Sequence, residues 1–133
     1  MLRQRDPVVK DEAHLRKVRQ LPCVCCLLTG RVNRPSEAAH VRYASAEHGK
    51  RQTGMGEKSS DRWVVPLCGA HHRHSDMAQH NMGERRFWRI WAFDPLTLCV
   101  ELYTAPSVET MEAALRAVVA AARSGGTIGT RKA

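Results

Sequence analysis

Four side chains in this sequence have the types and the spacing to hold one metal ion. Cys23 and Cys26 form a C-x2-C pair, and Cys68 and His71 form a C-x2-H pair. Two intervening residues let a tight turn aim both side chains at one point, so each pair reads as a knuckle. Two knuckles complete a closed tetrahedral site of the kind that holds structural Zn2+. Such a site contributes to folding directly, on the order of 10 kcal/mol in small zinc peptides near neutral pH. Cys25 is an alternative to Cys26, and His72 to His71. Cys99 lies in an apolar stretch far from both pairs and is assigned to the core. The cysteines number five, an odd count that favours metal ligation or burial over disulfides in a reducing compartment.

The remaining histidines form a second set. His40, His72, His74 and His80 fall around one strand–turn–helix stretch. With Cys68 and His71 on the zinc, His72 points to another face and is free to look toward the strand that carries His40. His80 comes eight residues after His72, roughly two helical turns on, hence on the same side of an unbroken helix. Imidazoles on one helix face suit a divalent cation with open positions. His14, His48 and His74 are read as surface or satisfied core residues.

These groups must be positioned by short elements. Asp11 is a candidate cap for a helix through Leu15 and Val18 that stops before Pro22. Gly30 comes after the cysteine cluster as a turn. Residues 37–43 read as a strand bearing His40, and 44–60 as a long loop without periodicity. Trp63 to Leu67 is a short apolar run that fits a strand. The polar segment after Cys68 reads as helical through Gln79. Gly83-Glu84 opens a further helix with Phe87, Ile90 and Trp91 at helical spacing. Asp94 is a candidate cap for the next helix, with Pro95 at its first position. Residues 107–123 form the last helix, with Ser107 as cap, Thr110 in place of the usual capping-box acid, and one apolar face. The tail at 125–133 is expected to be disordered.

Length and composition bound the rest. A chain of 133 residues is read as one domain, 1–133. Aromatic residues make up 5% of it, a thin supply for a core and a reason to expect a metal staple. No apolar run reaches the length needed to cross a membrane, and the first residues lack the apolar centre of a secretory signal, so a cytoplasmic location is expected. Lys and Arg number 21 against 13 acidic residues, a net charge of +8. Such a balance favours an anionic polymer as partner, because neutralising phosphates releases condensed counterions.

The string from His40 through Gly54-Met55-Gly56-Glu57-Lys58, Asp61-Arg62-Trp63-Val64-Val65-Pro66-Leu67-Cys68-Gly69-Ala70-His71-His72, and the trailer Gly83-Glu84-Arg85-Arg86-Phe87-Trp88 resembles the HNH (ββα-metal) endonuclease superfamily. More narrowly, it is similar to phage and prophage Ref-like recombination-enhancement nucleases and related HNH groups. The resemblance covers about residues 21–92 and implies an α+β, zinc-stapled ββα-metal (His-Me finger) core with flanking helices. It implies a metal-dependent DNA endonuclease in which His40 activates water. Asp61 stands where many relatives have the asparagine that orients that histidine, and His72 and His80 would bind a catalytic Mg2+, Mn2+ or Zn2+. A recombination protein is a further expected partner. Many members of that superfamily carry a metal-binding Asp or His just before the catalytic histidine; this chain has Ala39, so either His80 and water complete the coordination, or Glu37 or Asp76 substitutes, or the site is degenerate. Arg42, at even spacing from His40, is expected to share its strand face and clamp a phosphate. Lys50, Arg51 and Lys58 in the loop, and Arg85, Arg86 and Arg89 beyond it, are expected to track the DNA backbone. The alternative is a non-catalytic zinc module that binds DNA or a recombinase.

Overall fold

The computed structural model describes residues 8–54, 57 and 59–125. Helix α1 (Glu12–Arg19) starts where the Asp11 side chain accepts from the His14 backbone N–H, and it buries Leu15 and Val18. Helix α2 (Val24–Leu28) is a single short turn capped by Cys23. Strands β1 (Glu37–His40) and β2 (Val64–Leu67) pair antiparallel, with Glu37 opposite Leu67 and His40 opposite Val64. The strand ends at His40, short of Tyr43, although one further bond from the Val41 N–H to the Trp63 carbonyl continues the ladder. Pro66 is tolerated in β2 because a two-stranded sheet leaves its missing N–H on an edge.

Between the strands, Ser45 and Lys50 bridge across a 3-10 turn at Ala46–His48. Met55, Gly56 and Lys58 lie outside the described residues. After β2 the chain makes one π-helical turn, Ala70–His74, and then leaves the helix at Ser75, whose backbone is extended. A separate short helix, α3, spans Gln79–Met82. The expected continuous helix through Gln79 is therefore broken. Asn81 stabilises the break by donating to the Arg73 and Ser75 carbonyls at 2.8 and 2.9 Å, which occupies acceptors that a continuing helix would have used.

Helix α4 (Glu84–Trp91) starts directly after Gly83. Gly83 has φ +96°, a left-handed geometry that strains any residue with a Cβ, so glycine is required between two abutting helices. Helix α5 (Pro95–Thr104) begins with Asp94 accepting from the Leu96 N–H. Helix α6 (Val108–Gly125) starts with a reciprocal cap: the Ser107 Oγ accepts from the Thr110 N–H at 3.2 Å, and the Thr110 Oγ1 accepts from the Ser107 N–H at 3.0 Å. Threonine thus takes the role a glutamate usually plays.

One core joins all of these elements. Val18, Val24, Val64, Leu67, Phe87, Leu98, Leu102, Met111 and Leu115 are fully buried within it. Helix α6 packs on α5 and on α2, and Arg34 ties the segment after α2 to Glu112 through two bonds of 2.9 and 3.0 Å. The fold is a small mixed α+β arrangement built on a two-stranded sheet. None of its described helices is long and apolar enough to cross a membrane.

Candidate functional site

The end of β2 and the first turn of α2 bring the two knuckles together. Cys23, Cys26, Cys68 and His71 place one ligand atom each within 4.8 Å of one another. His71 Nδ1 stands 3.4 Å from Cys23 Sγ, 3.7 Å from Cys26 Sγ and 3.2 Å from Cys68 Sγ. Around a tetrahedral Zn2+, with Zn–S about 2.3 Å and Zn–N about 2.0 Å, sulfur and nitrogen lie about 3.5 Å apart. The donor set and its spacing therefore fit a metal such as zinc. Cys25 is buried outside the cluster and His72 faces elsewhere, so the alternatives within each pair resolve to Cys26 and His71. Cys99 is buried, with its thiol on the Val64 carbonyl, as a core residue.

Burial pushes the Cys23 thiol up to about 12 and the His71 imidazole down. Loading the clip with a dication must therefore expel thiol protons, which makes affinity rise with pH. Two groups the spacing did not single out support Cys26: Arg31 Nη2 and Asn33 Nδ2 donate to its sulfur at 3.5 and 3.6 Å. Bonds of this kind spread thiolate charge and orient the ligand. The Trp91 ring packs edge-on against His71, 5.4 Å between centroids.

His40 and Asp61 meet as expected. His40 Nε2 lies 2.9 Å from Asp61 Oδ1; 31% of the His40 side chain is exposed against 13% for Asp61, so the imidazole faces solvent and the carboxylate backs it. Burial alone would raise the Asp61 carboxyl, but bonds from His40 and from the Asp11 backbone N–H outweigh it and hold the group below its usual range. The Asp11 N–H donates to Asp61 Oδ2 at 2.8 Å, and the Asp61 N–H donates to the Val9 carbonyl at 2.7 Å. Asp11 itself accepts from the Tyr103 hydroxyl at 3.0 Å. The stretch before α1 thus clamps Asp61 from behind, a contact between residues about 50 apart that no local pattern signals.

His72 lies elsewhere. Its Nδ1 is 2.7 Å from Glu37 Oε1, and Arg73 bonds both Glu37 oxygens at 3.2 and 3.3 Å. The Arg73 guanidinium and then His72 hold the Glu37 carboxyl below its ordinary value. Glu37 and His40 are three residues apart on β1, about 10 Å of strand, and alternation turns them to opposite faces. Ala39 is fully buried in the core. His80 sits exposed on α3, beyond the break at Ser75, so the argument that placed it on the same helix face as His72 does not hold. Among the described residues, the zinc-type clip is the group of three or more metal-type side chains that the fold assembles. Asp76 is exposed and outside it.

The basic residues divide in the same way. Arg42 donates to the Ser59 hydroxyl at 2.6 Å and to the Gly54 carbonyl at 3.3 Å, so its guanidinium braces the loop. Lys50 is buried over the Trp63 ring, because the bridge to Ser45 folds it inward. Arg51 pairs with Glu57. Lys58 lies outside the described residues. Arg85, Arg86 and Arg89 are exposed on α4, and the Arg85 guanidinium sits 4.6 Å from the centre of the Tyr43 ring.

No curated protein and no protein of solved structure matches the chain. A family model does, across residues 1–88; that span takes in both halves of the metal clip, His40, Asp61 and most of α4, and it stops before α5 and α6. Because this match covers well over half of the sequence, the chain belongs to the family described as Protein of unknown function (DUF968).

Proposed function

We propose that the protein is a DNA endonuclease of the HNH kind, in which a zinc clip holds a His–Asp pair against the phosphodiester backbone. One observation carries this reading: a half-exposed imidazole whose Nε2 is fixed at 2.9 Å by a carboxylate that is itself locked in place. With the Nε2 proton donated to Asp61, Nδ1 is left to take a proton from water. Imidazoles as a class exchange protons near neutral pH, and the Asp61 charge favours the protonated ring that forms. The exposed arginines of α4 supply phosphate contacts that position the strand.

His72 is paired with Glu37, on the face of β1 turned away from His40, so these two side chains do not fit a catalytic ion acting beside His40. A divalent ion next to His40 would have to be held by substrate phosphate and water, and there it would supply positive charge against a phosphate oxygen. The second reading, a non-catalytic zinc module that binds DNA or a recombinase, is favoured by the packing of Ala39 into the core and by the separation of His80 from His72.

Incubation of the zinc-loaded protein with supercoiled plasmid, with and without added Mg2+ or Mn2+, separates the two. Metal-dependent nicking that falls at least about 100-fold in His40→Ala, with zinc content unchanged, is the expected outcome. Plasmid binding without nicking under any of these conditions selects the module.

A further inference from the structure

Outside the His–Asp pair and the metal clip lies an open cleft of about 510 Å³ lined by Tyr43, Arg85, Trp88, Arg89, Phe93 and Asp94, with Ala92 and Pro95 at its edge. Its walls combine two guanidinium groups with three aromatic side chains. Arg85 lies over the Tyr43 ring, and Arg89 projects from α4 with no ion pair among the described residues. The one carboxylate in the lining is already engaged. Asp94 caps the Leu96 N–H at 3.0 Å, accepts from the Thr97 hydroxyl at 2.9 Å and lies 3.6 Å from His48. Burial pushes the Tyr43 phenol up to about 12, so it remains a neutral donor that does not repel an anion.

An aromatic–guanidinium stack next to a guanidinium group without an ion pair among the described residues matches a ligand that is flat at one end and anionic at the other. A nucleotide has that form, and aromatic or Arg faces stack bases without regard to their identity. A paired base offers its face to its neighbours in the helix, so only an unstacked nucleotide can use such walls. Tyr43 is three residues beyond His40, no more than about 11 Å along the chain, so a strand passing His40 runs within reach of the cleft.

We infer that the cleft between Tyr43 and α4 binds an unpaired nucleotide of a DNA strand, its base against Tyr43 and Arg85 and its phosphate on Arg89. This deepens, and rests on, the nuclease reading above by naming a single-stranded segment as the part of the substrate that the fold recognises.

The test is fluorescence anisotropy of a labelled oligothymidylate with the full zinc-loaded chain and no added divalent metal, so that no cleavage is involved. A blunt duplex of equal length, thymidine monophosphate and inorganic phosphate serve as competitors. The oligothymidylate is expected to bind more tightly than the duplex. Arg85→Ala and Tyr43→Ala should each weaken it about 10-fold, whereas Tyr43→Phe keeps the stacking face and binds like the parent. Arg89→Ala should weaken binding and lower the salt dependence by about one phosphate contact. Zinc content and far-ultraviolet circular dichroism establish that each variant is folded.

Equal affinity for strand and duplex overturns the inference, as does unchanged binding in folded Arg85→Ala and Arg89→Ala. Displacement by the free monophosphate or by phosphate at concentrations matching the strand's nucleotides overturns it in favour of a small-anion site. Failure here leaves the plasmid assay untouched, while variant-sensitive strand binding without any nicking removes the nuclease reading and keeps the cleft.

Discussion

Asp61 receives two donors at once, the His40 ring and the Asp11 backbone N–H. Removing it therefore affects both stability and chemistry. Asp61→Ala leaves a partly buried N–H without an acceptor, which costs about 1–3 kcal/mol, and lets the imidazole turn freely. We expect plasmid nicking to fall about 100-fold while plasmid binding is retained. Asp61→Asn still offers one carbonyl oxygen, so it should lie between Ala and the parent in rate and in melting temperature. An Asp61→Ala protein that nicks like the parent would remove Asp61 from the proposed site. The pairing of His40 with Asp61 was expected from the resemblance alone. The role of Asp11 behind it was not, because that residue also reads as the cap of α1, a role it performs through its other contacts.

At the scale of elements, the clip joins α2 to the end of β2 and so fixes the sheet against the helices. The two neighbouring cysteines give a sharp comparison. Cys26→Ser is expected to lose the metal and to melt well below the parent, since a structural site contributes folding free energy on the order of 10 kcal/mol. Cys25→Ala removes a buried thiol outside the donor set and is expected to keep the metal, with only the modest penalty of a small cavity. Elemental analysis of both purified proteins checks this; equal metal loss in the two would reverse the ligand choice. Substituting Arg31 and Asn33 with Ala should weaken metal binding about 10-fold or more, through the loss of their bonds to the Cys26 sulfur. Element boundaries were less legible than the ligands. The polar run 69–78 carries no residue that forbids a helix, and only the side chain of Asn81, reaching back to two carbonyls, reveals where the helix stops.

For the molecule as a whole, His14 links pH to stability. Its Nε2 is buried without a hydrogen-bond partner among the described residues, its ring packs edge-on against Tyr103, and burial lowers it from its ordinary value of 6.5. The unfolded chain therefore takes up this proton at a higher pH than the folded one. Stability is greatest above about 6.5 and falls as pH drops from there toward the lowered folded value. We expect the parent to melt at a lower temperature on acidification through this window, and His14→Leu to show a shallower decline. Because His71 shifts in the same direction, both proteins are compared at the same zinc loading. Identical pH profiles would exclude His14 as a contributor. Helix α6 also acts at this scale: its buried Met111, Leu115 and Val119 complete the core and it packs on α2, so the clip is supported by an element beyond the family match.

The amino-acid sequence alone determined the soft-ligand pairs, the excess of positive charge, and the caps at Asp11, Asp94 and Ser107. These depend on residue type and on spacing within a turn, which a chain expresses locally. Tertiary structure decided which histidines meet. It sent His72 to Glu37, left His80 on a separate helix, turned Ala39 into the core, and folded Lys50 inward over Trp63. The physical reason is that a side chain's direction depends on where a helix breaks and which strand face is buried, and both are set by distant packing partners.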